Sequence, residues 1–348
     1  MGVLLLRIIN VHNVNQALAE GLDHLNYSGI VEESRAGRVL VSPEPVTTIY
    51  QHPNRRVLMS PLRDANPFFH VMEALWMLAG RQDVKFISHY NRRIASFSDD
   101  GVVFHGAYGY RWRHYYDNDQ LKVIKQMLLG DRTTRRAVIS MWDPNYDLGW
   151  DSNDIPCNDI IFFDTLGGAL NATVCCRSND MWWGAHGANA VHFSFLLEYM
   201  AAGARLPMGV LRQMSNNYHA YLNVVKRELM NDYADDAADS DPYTTGQSGG
   251  RYYQRRPLTP GPGLVPLVND ADTFDKDLAV FMANPTSTDE CENNPFFHQV
   301  ACPMARAWEH HKFGAYHKAQ EQVDRIVAGD WRKACEQWLE RRRKHVAG

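Results

Sequence analysis

The run from Pro156 to Asp180 constrains this 348-residue chain more than any other part of it. Residues 159–165 and 169–176 are rich in apolar and β-branched side chains. They flank Leu166-Gly167-Gly168, a spacing that predicts a β-hairpin. Pro156-Cys157-Asn158 leads into the first strand, and Arg177-Ser178-Asn179-Asp180 leaves the second. One hairpin therefore gathers a thiol, a guanidinium, a hydroxyl and a carboxylate. The guanidinium and hydroxyl suit a phosphate, and the thiol suits attack on an electron-poor ring carbon. The carboxylate suits a second, donor-rich ring. The combination points to one-carbon chemistry on a nucleotide.

Composition is that of a globular protein, 45% hydrophobic and 22% charged, with ample chain for a core. A formal net charge of -4 with no basic block argues against a nucleic-acid partner. A phosphorylated small molecule needs only a few local arginines. Cys157, Cys175, Cys176, Cys291, Cys302 and Cys335 show neither CxxC spacing nor the density of a secreted disulfide scaffold. Reduced thiols in a cytoplasmic compartment are expected, with no metal. Val3-Leu4-Leu5-Leu6 is too short for a membrane span or leader core and is interrupted by Arg7, so it reads as a first strand and no membrane partner is expected.

Periodicity predicts helices over 15–25, 67–78, 118–129 and 189–202, and another beginning near Ala220. The second is the clearest. Asn66 can cap it, Pro67 suits its first position, Gly80 can end it, and Phe68, Phe69, Met72, Leu75 and Trp76 form its apolar face. Ser34-Arg35-Ala36-Gly37-Arg38 is a polar turn, and residues 137–142 read as a strand. Residues from about 235 to 263 are rich in Asp, Ser, Gly and Pro and read as a loop insertion rather than a linker. A helical, charged extension follows at about 305–348, where Trp308, Phe313, Ile326, Trp331 and Trp338 need a surface to pack on. Strands and helices interleave without a βαβ rhythm. That predicts an α+β fold, a single domain over 1–348 with helices packed on a mixed sheet.

Several residues carry candidate chemistry. Cys157 is a candidate nucleophile, though an isolated cysteine is more often inert; its thiol needs acidification by cations such as Arg135, Arg136 or Arg177. Arg177 and Ser178 are candidate phosphate ligands, with a strand-end salt bridge as the bland alternative. In a strand Arg135 and Arg136 would point to opposite faces, one to a site and the other to a partner subunit. Glu73 lies within an apolar helical pattern, where a carboxylate is costly and suits proton transfer unless it reaches water. His219 and Tyr221 share a face if extended, where they can donate to a sugar hydroxyl. Asn189 offers an amide that can read a base edge or cap a helix.

In order along the chain, these pieces resemble the thymidylate synthase superfamily between about Arg35 and Tyr221. Arg35-Ala36-Gly37 is similar to its phosphate-loop motif, and Glu73-Ala74-Leu75-Trp76 to its Glu-Leu-Leu-Trp helix. Tyr108-Gly109-Tyr110-Arg111-Trp112-Arg113 resembles its Tyr-Gly-x-x-Trp-Arg run, and Arg135-Arg136 its arginine pair that crosses the dimer interface. Pro156-Cys157 resembles the nucleophile motif, Arg177-Ser178-x-Asp180 the phosphate and folate segment, and His219-x-Tyr221 the sugar pair. The resemblance implies an obligate homodimer sharing arginines across its interface, a pyrimidine deoxynucleoside monophosphate, and 5,10-methylenetetrahydrofolate as co-substrate. It implies catalytic roles for Cys157, Glu73, Tyr108 and Asn158. It places nucleotide on Arg35, Arg135, Arg136, Arg177, Ser178, Asn189, His219 and Tyr221, and folate on Asp180 and Gly184.

Departures from the pattern direct the choice of reaction. Asn158 stands where the synthase has His, the usual tryptophan pair is replaced by Arg93-Ile94-Ala95-Ser96-Phe97, one extra residue precedes Asn189, and the chain ends in a charged helix rather than a short apolar lid. These changes cluster where a synthase closes over folate to protect hydride transfer. They favour the hydroxymethylase branch, in which water adds to the intermediate. That branch includes phage deoxycytidylate hydroxymethylases, and loss of His at 158 leans towards cytosine over uracil. The alternatives are C5 methylation, by a thymidylate synthase or a deoxycytidylate methylase, and a non-catalytic nucleotide-binding member.

Overall fold

A computed structural model describes residues 6–245, 256–257, 263–287 and 293–347. The first strand begins at Arg7, so most of the apolar start, like Cys291, lies outside the described residues. The strands are β1 (Arg7–Val11), β2 (Ile30–Ser34), β3 (Gly37–Val41), β4 (Val46–Tyr50), β5 (Val138–Ser140), β6 (Asn158–Asp164), β7 (Leu170–Asp180) and β8 (Met208–Tyr221). The helices are α1 (Val14–Ser28), α2 (Pro67–Leu78), α3 (Val84–Tyr90), α4 (Tyr108–Arg113), α5 (Gln120–Gly130), α6 (Asn189–Gly203), α7 (Met230–Asp239), α8 (Phe274–Ala283), α9 (Cys302–Lys312), α10 (Tyr316–Val323) and α11 (Gly329–Ala347). This is an α+β fold on a mixed sheet ordered β1-β4-β8-β7-β6-β5, with β3 also on β8 and β2 on β3.

The predicted hairpin is β6–β7, and the second strand runs past Cys176 to Asp180 because β8 pairs with it in parallel along that whole edge. Pairing also overturns the helix expected near Ala220. Ala220 and Tyr221 face Leu40 and Val39 of β3, so the chain stays extended through Tyr221 and the next α-helix begins at Met230. That helix runs to Asp239, and so enters the segment expected to be loop. Ala234, Ala237 and Ala238 lie buried at helical spacing against α1. Residues 246–255 and 258–262 of the same segment are outside the described ones.

α2 has the predicted ends. Asn66 accepts the Phe69 N–H, Pro67 is first, and Gly80 follows the helix with φ +69°. It is not amphipathic, however. All twelve residues are buried, because α3, α4, α6, α8, α9 and α11 surround it. Two tail tryptophans complete that shell: Trp308 and Trp338 pack on Phe68 at 5.7 and 5.6 Å. Ile326 and Trp331 are buried as expected, but Phe313 is 84% exposed, at the turn where α9 gives way to α10.

The helices α1 and α6 pack on one face of the sheet. The opposite face carries Ile8, Met214 and Phe162 out to solvent, on strands β1, β8 and β6. No helix among the described residues is long and apolar enough to cross a membrane.

Candidate active site

Cys157 lies at the end of a loop, just before a register shift between Asn158 and Ile160 where β6 joins β7. Such a bulge re-aims the residue beside it. Here the thiol meets a cavity of 390 Å³, lined also by Glu73, Tyr108, Ser178, Asp180, Gly184, Asn189, His219 and Tyr221. Residues distant in sequence thus share one wall with the thiol.

Each is delivered by a local device. Tyr108 opens α4, which crosses α2 so closely that a Cβ on Gly109 would run into the Met77 carbonyl. Arg113 at the other end of α4 fixes it, donating to Leu78 O at 2.6 Å and Asp119 at 2.9 Å. His219 and Tyr221 alternate on extended β8 and point the same way, their rings 5.1 Å apart. The segment before Asn189 is a π-helical turn, Met181–Ala188, with non-helical angles at His186 and Gly187. His186 is clamped beneath it, Nδ1 2.9 Å from the Tyr50 hydroxyl and Nε2 2.6 Å from the Tyr218 hydroxyl. Asn189 consequently reaches the cavity with its Nδ2 donating to Asn179 Oδ1 at 3.1 Å, while Asn179 in turn donates to Ser215 at 3.0 Å.

Five expected site residues lie outside this lining. Arg177 is exposed, donating from Nε to Pro156 O at 2.9 Å, with Nη2 3.8 Å from the Cys157 sulfur. Arg35 is exposed on the β2–β3 turn, near enough for its charge to act on Cys157. Arg135 and Arg136 are exposed and precede β5, so neither holds a strand position. Asn158 is fully buried behind the cavity wall. Its Oδ1 accepts from Cys176 Sγ at 2.6 Å, and its Nδ2 is without a hydrogen-bond partner among the described residues.

The electrostatics correct one expectation. Burial pushes the Cys157 thiol up, with Arg177 and Arg35 opposing and Asp159 adding to the rise. The resting thiol is therefore not acidified, and Arg135 and Arg136 are not among its influences. Burial likewise raises the Tyr108 hydroxyl, keeping it a proton donor, and pushes Asp154, on the same wall, up to about 6. Asp180 accepts from Trp183 N at 2.5 Å, but its buried Oδ2 has no hydrogen-bond partner among the described residues.

Sequence reasoning missed His192, Asp154, Trp76 and Trp183, which also line the cavity. His192 had a signal. It is an imidazole between Val191 and Phe193 in an apolar helix, the same kind of misfit that singled out Glu73.

A half-buried thiol, a carboxylate, an amide and a His-Tyr pair surround one cavity on this mixed sheet, in a thymidylate synthase-like fold. The thymidylate synthase family model matches residues 27–234, and the chain belongs to that family of one-carbon transferases. The chain is 42% identical to a deoxyuridylate hydroxymethyltransferase of Pseudomonas phage M6, over 97% of this chain and 95% of that protein. It is 38% identical to a deoxyuridylate hydroxymethyltransferase of Bacillus phage SP01, over 54% and 52% of the two chains. A putative thymidylate synthase of Methanothermobacter thermautotrophicus is 27% identical over 47% of this chain and 74% of that one. The similarity thus reaches full length in the hydroxymethylase branch.

Proposed function

We propose that the protein hydroxymethylates C5 of deoxyuridylate through a covalent bond from Cys157 to C6 of the base. The observation that carries this reading is that Cys157 and Glu73 line one cavity, with Asn189 and the His219–Tyr221 pair beside them. The thiol adds to C6 and makes C5 nucleophilic, and Glu73 sits where a carboxylate can hold or pass a proton. Arg177, Ser178 and Arg35 receive the phosphate. The Arg177 guanidinium is already turned towards the Cys157 sulfur. His219 and Tyr221 take the sugar.

The cavity also fits a folate. The unpartnered Asp180 Oδ2 suits the donor edge of a pterin, and Trp76, Ile94, Phe97 and Trp183 offer apolar surface for its rings. Methylenetetrahydrofolate supplies one carbon at the formaldehyde level. Ile94 and Phe97 occupy the stretch where a synthase has its tryptophan pair, and Phe97 is 59% exposed. A wall this open supports water, rather than hydride, as the final reactant.

The proposal takes uracil over cytosine as the base. Asn158, the residue that pointed to cytosine, is fully buried, accepts from Cys176 and is not part of the cavity lining. The names of the phage relatives add support for uracil. A homodimer is part of the proposal, over a single domain. The uncovered sheet face with Ile8, Phe162 and Met214 is the natural partner surface, and Arg135 and Arg136 stand beside it ahead of β5.

Mass spectrometry of products from a mixture of dUMP and dCMP with methylenetetrahydrofolate tests the reading. A gain of one hydroxymethyl group on dUMP is expected. A methyl product, or modification of dCMP alone, would overturn the reaction or the base respectively.

A further inference from the structure

The geometry points to His192, paired with Glu73, as the base that activates water for the hydroxymethylation. The inference rests on the reading above and adds to it the group that receives the water's proton.

His192 lies one turn after Asn189 on α6, and its side chain is 4% exposed on the cavity wall. Its Nε2 is 2.8 Å from Glu73 Oε2. No ring nitrogen of His192 has a hydrogen-bond partner among the described residues, nor has that carboxylate oxygen, since the close pair is out of line for a bond. Leaving a buried polar group unsatisfied costs about 1–3 kcal/mol. A water in the cavity can bond Nε2 and the neighbouring carboxylate oxygen together, while Nδ1, on the far side of the ring, takes a separate partner. His70, on the α2 turn before Glu73, lies near His192 and Arg63. Burial holds His70 far below its ordinary value, hence neutral, so it brings no competing positive charge to Glu73. Ser194 is spoken for, donating to Val191 O at 2.8 Å.

The step balances without an outside reagent. Once Cys157 has bonded C6 and C5 has bonded the folate's one carbon, loss of the C5 proton breaks the bond from that carbon to nitrogen, tetrahydrofolate departs, and the base carries a methylene conjugated to its C4 carbonyl. Water oxygen bonds that methylene carbon as one water proton passes to the His192–Glu73 pair. The methylene electron pair moves to O4. Collapse of this enolate restores the C5–C6 double bond and breaks the C6–sulfur bond, and the departing thiolate takes up a proton. Glu73 Oε2 stands 2.8 Å from Nε2 of the imidazole that takes the proton.

The test uses His192→Asn and His192→Gln in the full chain, with dUMP tritiated at C5, methylenetetrahydrofolate, and 2-mercaptoethanol as a trap. A thiol can add to the same methylene without the base. Hydroxymethyl product should fall on the order of 10²-fold. Tritium release should fall far less, and a thioether product should appear. Equal loss of tritium release and product with no thioether would make His192 structural, and unchanged product would remove it from the step. Should neither variant fold, wild type decides: the ratio of hydroxymethyl to thioether product should drop in D2O, and an unchanged ratio overturns the proposal. A wild type that neither releases tritium nor forms product fails the functional reading instead.

Discussion

Cys157 illustrates how one residue is set by its surroundings. Its identity makes it a nucleophile, but burial keeps the thiol protonated, and the opposing cations are the same arginines proposed to hold phosphate. Cys157→Ala should abolish hydroxymethyl formation while calorimetry still detects dUMP binding. Product at the wild-type rate would exclude the covalent route. Asp159 acts with burial and against those arginines. Burial pushes its carboxyl from 3.8 up to about 6, against the pull of Arg177. The native protein therefore holds a proton between those values that the unfolded chain has released. The stability this contributes is present below 3.8 and is lost as pH rises through about 6. Asp159→Asn should thus melt higher than wild type above pH 6, with the gap closing towards pH 4. It should also move the thiol limb of the pH–rate profile to lower pH. A gap that does not change with pH would contradict the assignment.

At the scale of elements, the tail helices matter because of what they touch. α11 brings Trp338 onto Phe68 of α2, and Arg341 and Arg342 both pair with Asp64 in the segment before that helix. The adjoining Arg63 donates to Trp182 O at 2.8 Å and holds the π-turn that presents Asn189. The charged extension is therefore part of the support for both walls of the cavity. Trp338→Ala should cost about 3–5 kcal/mol by urea unfolding. A loss under 1 kcal/mol would mean that α11 is peripheral. The ends of α2 were readable because Asn66, Pro67 and Gly80 act through local backbone chemistry. Its burial on all sides was not, because that depends on six neighbours brought in from elsewhere in the chain.

On the scale of the whole molecule, the sheet has one face covered by helices and one that, among the described residues, leaves Ile8, Phe162 and Met214 in solvent. Met214, on the latter face, is 41% exposed in the single chain. Burying a lone carboxylate there would cost several kcal/mol in a dimer and almost nothing in a monomer. Met214→Asp should yield a folded monomer by light scattering, with activity lost if Arg135 and Arg136 serve the neighbouring site. A monomer at full activity would dismiss the shared arginines, and an undisturbed dimer would place the interface elsewhere.

By itself the sequence determined what short-range chemistry controls: the β6–β7 hairpin, the caps of α2, the polar turn at Arg35, and the residue types around Cys157. These follow from turn geometry, capping and periodicity over a few residues. Tertiary structure alone decided the rest. β8 stays extended to Tyr221 because β3 pairs with it, Phe313 is left in water at the turn after α9, and Asn158 is buried outside the cavity lining. His192 meets Glu73 only because α2 and α6 pack together. Such outcomes depend on which distant segments fill the same space, and no local pattern encodes that.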